Sequence, residues 1–512
     1  MKLTPVIGLE IHVQLKTKSK MFSPADNSGE NQPANTTINE IDLAHPGTLP
    51  VINQTAVEWS VMAALAINCQ IPKISKFDRK SYFYPDLPKG YQISQYDQPI
   101  GSNGYLFIET TNGQRRIGIN RLHLEEDAAK NLHSADGQNT LVDYNRAGTP
   151  LMEIVTEPDL RNAAEAKIFM QELRLIMRYL GVSDADMEKG HLRCDANISL
   201  TDQNPDQIEF SQLKPKTEVK NINSFRAVEK AIEYEIKRQT ELWEKGTPPD
   251  TQTTRGWNED KGVTEAQRTK EEASDYRYFP EPDLPPLNFT PGVPGAIDVQ
   301  KIKNGLIELP QTKRQRFVDE FDLTKENAKI ITDDKNLASF FEQAMSELRA
   351  WLIALEETEG TDEEIWDQNK GKLAKLTANW LINKLLAIIY KANGDLVSSQ
   401  EITPENFAEF ISLVYQNKIN SNIAQQILEK MCVTGKDPSV IMTEENFGTS
   451  QSQEDLEKVI DKIIADNPKQ VEQYQAGKET LIQFFVGQVM RETKGQAEPN
   501  QTKDILTNKL SQ

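Results

Sequence analysis

A chain of 512 residues is too long for one ordinary core, and at about 150 residues per domain it implies three. Its hydrophobic share of 38% excludes wholesale disorder. With 58 Lys and Arg against 77 Asp and Glu, a net charge of −19, bulk charge cannot hold nucleic acid, so any RNA contact needs a local basic patch. Cys69, Cys194 and Cys432 lie far apart and form no CxxC pair. That argues against a disulfide framework or a thiolate zinc site and fits a reducing cytoplasm. Glu10 and His12 stand where a signal peptide needs its apolar run, and no stretch approaches about 18 uninterrupted apolar residues. A soluble, cytoplasmic, multi-domain protein with no membrane span is expected.

The opening run alternates: Leu9, Ile11, Val13 and Leu15 share one face of a strand, and Glu10, His12 and Gln14 the other. A helix follows over about Ala56–Asn68, with Thr55 and Glu58 as a capping box. Strands are expected at Tyr105–Glu109, Arg115–His123 and Leu151–Thr156. A second helix runs over about Ala163–Leu180, started by Asn162 and Glu165, striped by Phe169, Leu173, Ile176 and Leu180, and stopped at Gly181. Strands at Arg193–Leu200 and Lys216–Asn221 precede a third helix, Phe225–Lys245, capped by Ser224, with Val228, Ile232, Ile236 and Trp243 inward.

Prolines between Pro280 and Pro291 are too dense for strand or helix and mark the best boundary. Beyond it the pattern is helical: Lys325–Ile331, Leu337–Leu355 and Leu373–Ala392, with the acidic run Glu356–Asn369 read as a solvated loop or insertion. Thr403 as cap and Pro404 at the first helical position restart the signal, with Phe407, Phe410, Ile411 and Val414 in line. Further helices are expected at Ile423–Met431, Leu456–Ala465, Val471–Ala476 and Thr480–Thr493. The fold class is α+β: a large sheet-and-helix domain at 1–292, an all-helical domain at 293–400 with an acidic insertion near 346–370, and a small helical tail at 401–512.

No G-x-x-x-x-G-K-[ST], no strand-linked G-x-G-x-x-G, no G-x-S-x-G elbow and no Ser-rich amidase loop occurs. What remains is carboxylates in unusual places. Glu10 and His12 stand roughly 6–7 Å apart on one strand face, close enough to reach a hard cation, although a half-solvated polar face reads the same way. His123-Leu-Glu125-Glu126-Asp127 puts consecutive acids after a strand; they repel unless solvent or a cation offsets them. Glu153, inside Leu151–Val155, is costly to bury unless paired or metal-bound. The preceding turn carries Arg146, suited to a carboxylate or phosphate, and Asp195 in Arg193-Cys-Asp-Ala-Asn197 is a further buried-acid candidate. An aromatic and basic stretch, Phe77–Tyr91, is echoed by Tyr276–Pro282; its rings and cations suit stacking on bases or packing of loops onto a sheet.

These segments together resemble the B subunits of the tRNA-dependent amidotransferases, the GatB family of the GatCAB complex. The resemblance is carried by VIGLEIHVQL (Val6–Leu15), FDRKSYFYPDLPKGYQISQYDQPI (Phe77–Ile100), INRLHLEEDAAK (Ile119–Lys130), VDYNRAGTPLMEIVTEPD (Val142–Asp159), LRCDANIS (Leu192–Ser199), VKNINSF (Val219–Phe225) and DYRYFPEPDLPPL (Asp275–Leu287). The stretch from Thr403 to Gly495 is similar to the family's YqeY-like helical domain.

The resemblance implies an α+β cradle domain followed by a helical domain and a tRNA-contacting tail. It implies a carbon–nitrogen ligase reaction: a partner amidase (GatA) releases ammonia from glutamine, an internal channel delivers it, and ATP phosphorylates the carboxylate of Glu on tRNA(Gln) or Asp on tRNA(Asn). Ammonia then displaces phosphate. A heterotrimer with the amidase and a small third protein (GatC) is implied. By motif position Glu10, His12, Glu125 and Glu153 are implied as Mg²⁺ ligands, with Glu126 close by, and Glu10, Glu126, Glu153 and Lys80 as the catalytic residues. Lys80 is implied at the channel exit, and Arg146 and Asp195 are the candidates for contact with ATP. Approach of two anions needs such a metal, and the lack of thiolates argues against zinc. Two other readings stand beside this one: a non-catalytic tRNA-binding scaffold, and a free-standing kinase of small carboxylic acids.

Overall fold

The computed structural model describes residues 3–134, 136–205, 212–269, 276–355, 360–391, 402–445, 447, 453–493, 497 and 499–510. They fall into two compact units, Met1–Leu309 and Pro310–Gln512.

The first unit begins with β1 (Thr4–Gln14), α1 (Gln54–Ala66), the short strands β2 (Ile74–Ser75), β3 (Asp78–Ser81) and β4 (Tyr91–Ser94), and the hairpin β5 (Gly101–Thr110) and β6 (Gly113–Glu126). It continues through β7 (Lys130–His133), β8 (Thr140–Asp143), β9 (Pro150–Thr156), α2 (Ala163–Leu180), β10 (Leu192–Thr201), β11 (Thr217–Ile222) and α3 (Phe225–Glu244). It closes with β12 (Thr253–Asn258), β13 (Val263–Thr269), β14 (Arg277–Pro280), β15 (Leu287–Asn288) and α4 (Val299–Asn304). Eight strands form one sheet in the order β13-β12-β11-β10-β1-β9-β6-β5, antiparallel except for the β11–β12 pair.

Period-two alternation decides what this sheet does with its faces. Leu9, Ile11 and Val13 of β1, Met152 and Ile154 of β9, Leu122 and Leu124 of β6 and Cys194, Ala196 and Ile198 of β10 are buried in one core with Phe169, Leu173 and Ile176 of α2 and Val228 and Ile232 of α3. Each Leu, Ile, Val, Met or Phe among them contributes roughly 1.5–3 kcal/mol of burial, so the helices lock onto this face. The other face is left to the polar residues in between. A three-stranded sheet, β14-β3-β4, reaches that face through Ser94, whose Oγ donates to Glu125 Oε2 at 2.9 Å.

Local signals held for α2 and α3, whose caps are Asn162 and Ser224, with Gly181 ending α2 at φ +73°. They failed for α1. Its cap is Asn53, which accepts from Ala56 N at 3.1 Å while its amide donates to Ser19 O and Lys20 O. Those long-range bonds fix Asn53 at the helix start, and Glu58 pairs with Gln54 instead of completing a box with Thr55.

Two boundaries differ from the expected ones. The proline-rich stretch is not structureless: it contributes β14 and β15, whose pairing with β3 and β2 tolerates proline at a sheet edge. Ile297, Val299, Ile302 and Leu309 pack on the first core, so the division expected at 292/293 lies inside the first unit.

The second unit is helical: α5 (Pro310–Phe321), α6 (Lys325–Thr332), α7 (Lys335–Ile353), α8 (Asp362–Trp380), a π-turn at Leu381–Leu385, α9 (Leu386–Lys391), α10 (Pro404–Tyr415), α11 (Ser421–Thr434), α12 (Pro438–Glu444), α13 (Gln453–Asp466), α14 (Pro468–Gln475), α15 (Ile482–Glu492) and α16 (Pro499–Leu510). The expected boundary at 400/401 lies outside the described residues, but the helices on either side share a core. Phe340 of α7 meets Phe407 of α10 at 5.5 Å between ring centroids, and Trp380 of α8 meets Phe410 at 5.1 Å. A separate core spans Leu456–Leu510. The acidic run is also more ordered than a solvated loop. Thr361 and Glu364 form a capping box, acids fill the first turn of α8, and Ile365 and Trp366 are buried. Residues 356–359 of that run lie outside the described set.

Candidate active site

Registers across the sheet set the polar residues in rows. His12 of β1 stands opposite Glu153 of β9, which stands opposite His123 of β6; on the other side His12 faces Arg193 of β10. One step along, Glu10 faces Asp195 and Val155, and Val155 faces Arg121. One step the other way lie Gln14, Leu151 and Glu125. Four residues expected from separate segments therefore meet, and His123 joins them.

Glu153 is the hub. Its Oε2 lies 3.4 Å from His12 Nε2 and 3.2 Å from His123 Nε2. Glu125 Oε2 lies 3.4 Å from His123 Nε2, and its Oε1 lies 3.9 Å from His12 Nε2, which is 4.0 Å from Glu10 Oε1. Burial works to raise the Glu153 carboxyl, but His123 and His12 outweigh it and hold its pKa well below the usual carboxylate value. Burial likewise works against a charged His123, and Glu153 and Glu125 overcome this to lift it to about 9. Glu10, pushed up by burial and then by Glu153, is held above its ordinary value. The cluster thus demands positive charge, and the imidazoles supply it.

A divalent cation fits that demand. Ligand atoms around an ion at about 2.0–2.1 Å are roughly 3 Å apart when adjacent and about 4 Å when opposed, the range seen here. Two overlapping sets of donors come together, Glu10–His12–Glu153 and His123–Glu125–Glu153, sharing Glu153. The two imidazoles differ. His123 Nδ1 is buried without a hydrogen-bond partner. His123 Nε2 reaches both Glu153 and Glu125, at 3.2 and 3.4 Å, and its side chain is 5% exposed against 19% for His12.

The remaining expected residues divide. Lys80 of β3 has its Nζ 4.8 Å from the Tyr276 ring centroid, and Glu125 and Glu153 raise its pKa against the effect of burial, so it belongs to the cluster's surroundings. Asp195 lies beside Glu10 but is taken by Lys220, whose Nζ is 2.6 Å from its Oδ2. Glu126 is not brought in. It follows Glu125 on a strand, so it points to the other side, accepting from Lys89 Nζ at 2.7 Å and Ile93 N at 2.9 Å. Arg146 spends its Nε and Nη2 on the carbonyls of Ala128 and Ala129, at 2.9 and 2.8 Å, which makes it a brace for the turn rather than an open anion contact. His123, Arg121 and Lys220 are not among the expected site residues. The signal for the first two is Arg121-Leu-His123-Leu-Glu125, the same polar–apolar alternation that marks Glu10-Ile-His12.

Comparison with known proteins agrees with this architecture. Residues 5–293 match the family model described as the GatB/GatE catalytic domain, and residues 363–510 match the one described as the GatB domain. The B subunit of the aspartyl/glutamyl-tRNA(Asn/Gln) amidotransferase of Persephonella marina is 44% identical over 506 residues, 99% of each chain. Its counterpart in Caldanaerobacter subterraneus subsp. tengcongensis is 44% identical over 512 residues, the whole of both chains. That of Thermotoga neapolitana is 44% identical over 510 residues, 99% of this chain and 98% of the relative.

Proposed function

The chain belongs to the family of aspartyl/glutamyl-tRNA(Asn/Gln) amidotransferase B subunits, and from that premise we propose that its acid–imidazole cluster activates the carboxylate that is amidated. The reaction it serves is tRNA-dependent amidation, a ligase reaction with glutamine as amide donor. The observation that carries the site assignment is Glu153, a buried carboxylate gripped by two imidazoles and shared between two sets of metal-competent donors.

In this reading Glu10, His12, Glu125 and Glu153 would hold Mg²⁺, which would supply the positive charge that offsets the repulsion between ATP and the substrate carboxylate. The side-chain carboxylate of Glu or Asp on its tRNA attacks the γ-phosphorus, and the bond to ADP breaks. Ammonia then attacks the acyl carbon, phosphate leaves with its bonding pair, and the new nitrogen loses one proton to solvent. Ammonia comes from a partner, since the chain has no nucleophile elbow or Ser-rich amidase loop. His123 keeps the two carboxylates aligned, and Lys80, held charged by Glu125 and Glu153, meets anionic substrate near the channel exit.

The complex is a heterotrimer with an amidase and a small third protein, working in the cytoplasm. No helix among the described residues is long and apolar enough to cross a membrane. The tail makes the tRNA contact through a restricted face. Lys418, Lys430 and Lys436 are its candidate cations; Lys430 pairs with Glu445 and Lys436 with Glu444, so Lys418 is the better contact.

The test is phosphate release from ATP by the assembled complex, with and without Glu-tRNA(Gln) or Asp-tRNA(Asn). Release that needs charged tRNA and Mg²⁺ and disappears in Glu10→Ala and Glu153→Ala is the expected result. Wild-type release that ignores tRNA, or variants that release normally, would remove the cluster from the reaction and favour a scaffold.

A further inference from the structure

The cluster has a closed side and an open side. His123, Glu125 and Glu153 have side chains only 5%, 3% and 6% exposed. The row one step along is open: Glu10 is 30% exposed, Asp195 20%, Lys220 29% and Arg121 39%. That row crosses five strands. Arg121 of β6 faces Val155 of β9, Val155 faces Glu10 of β1, and Glu10 faces Asp195 of β10. The register between β10 and β11 shifts around Asp195, and there Lys220 of β11 reaches its Oδ2 at 2.6 Å and Glu218 Oε1 at 3.1 Å. At about 4.8 Å per strand, the backbones of Arg121 and Lys220 are roughly 19 Å apart, with Glu10 midway. Two long cationic side chains thus flank the mouth of an otherwise acidic site.

Three other cations around the cluster are committed: Arg193 Nη2 is 2.7 Å from Asp127 Oδ2, Lys89 holds Glu126, and Arg146 braces two carbonyls. Lys80, over the Tyr276 ring, is the cation already assigned to the carboxylate substrate near the channel exit. Arg121 is different: its nearest carboxylate, Glu153 Oε1, is 3.8 Å away, beyond hydrogen-bond reach. A planar guanidinium with unspent donors, half exposed beside a metal-competent carboxylate, suits phosphate oxygens. Lys220 keeps its charge because Asp195 and then Glu218 overcome the effect of burial, and two carboxylates occupy an ammonium that has three donors.

We propose that Arg121 and Lys220 are the phosphate-contacting cations of the site, and that the nucleoside triphosphate enters across the Arg121–Glu10–Lys220 row with its phosphoryl chain between them. Asp195 is then a positioning residue, which aims Lys220, rather than a nucleotide contact. The inference rests on the kinase reading above and adds which side of the cluster the nucleotide occupies and what grips it.

The experiment is equilibrium binding of a non-hydrolysable ATP analogue with Mg²⁺ to the assembled complex, for wild type, Arg121→Met, Arg121→Lys and Lys220→Met, alongside KM for ATP and for charged tRNA. Each Met variant is expected to weaken the analogue at least about tenfold, the size of a charge-assisted hydrogen bond, with KM for tRNA nearly unchanged. Arg121→Lys should recover part of the loss. Lys220→Met leaves two carboxylates unpaired; if that variant fails to assemble, Arg121→Met, which breaks no short contact, decides the matter. Unchanged analogue affinity overturns the proposal, as does a rise in KM for tRNA alone, which would assign the cations to tRNA phosphates. Failure of the wild type to bind any analogue would overturn the kinase reading, and this proposal with it.

Discussion

At Glu153 the sheet spends burial on a charge, and only the flanking His12 and His123 make that tolerable. Their unequal surroundings separate two kinds of effect. Glu153→Gln should remove tRNA-dependent phosphate release by at least about 100-fold and abolish the rise in melting temperature that Mg²⁺ gives the wild type, measured by scanning calorimetry with and without chelator. His123→Gln, which removes an orienting donor instead of a ligand, should weaken Mg²⁺ about 10–100-fold without abolishing its binding, as read by metal titration of the melting temperature. Thiols offer a check independent of activity. Burial pushes the Cys69 thiol up to about 12 and Cys194 well above its ordinary value, while Cys432 is half-buried. At pH 8 a thiol reagent should modify Cys432 first and the other two only after denaturation, as counted by mass spectrometry.

Among the elements, β1 and α1 show how tertiary contacts override local preference. Asn53 caps α1 and also ties it to the loop after β1, whereas Thr55 lies inside the helix. Asn53→Ala should therefore cost about 1 kcal/mol or more of unfolding free energy, and Thr55→Ala less than about 0.5 kcal/mol, in urea denaturation of the chain. The turn that feeds β9 is pinned from the same loop. Lys20, fully buried, reaches Asp42 Oδ2 at 3.2 Å and Tyr144 O at 3.4 Å, and Gly148, at φ +82°, sits so close that a Cβ would lie 2.7 Å from Asp42 Oδ1. Asp42→Ala strands the Lys20 ammonium and should cost about 3–5 kcal/mol, while Lys20→Met with Asp42→Leu should recover much of it in the same measurement. This pin also bears on chemistry, because the turn it holds sets the start of the strand that presents Glu153.

For the molecule as a whole, separate cores predict separate melting. The first unit carries one continuous core, and the second carries one at Phe317–Phe447 and another at Leu456–Leu510. Calorimetry of the chain should resolve more than one transition, and Mg²⁺ should shift only the one belonging to Met1–Leu309, which contains all the proposed ligands. With a net charge of −19, tRNA must be held through a restricted face. Its binding should be markedly salt-sensitive, with Lys418→Ala reducing the salt dependence and Lys436→Ala, already paired with Glu444, changing it little.

Read alone, the chain determined its fold class, its helices over about 163–180 and 225–245, and the alternation that sets Glu10 and His12 against a buried face, because periodicity and caps are local. Its motifs likewise singled out Glu125 and Glu153 through family resemblance. Which of these residues meet was decided by strand register: β9 lies between β1 and β6, and a shift of one residue would turn Glu153 into the helical layer. The same alternation separates Glu125 from Glu126, neighbours in sequence on opposite sides of one strand, and brings in His123, Arg121 and Lys220 from strands that the chain does not order by itself. Domain limits also belonged to the tertiary structure. Packing of Ile297, Val299, Ile302 and Leu309 against the first core and burial of Phe407 and Phe410 in the second depend on contacts between distant segments, which proline density and capping signals do not encode.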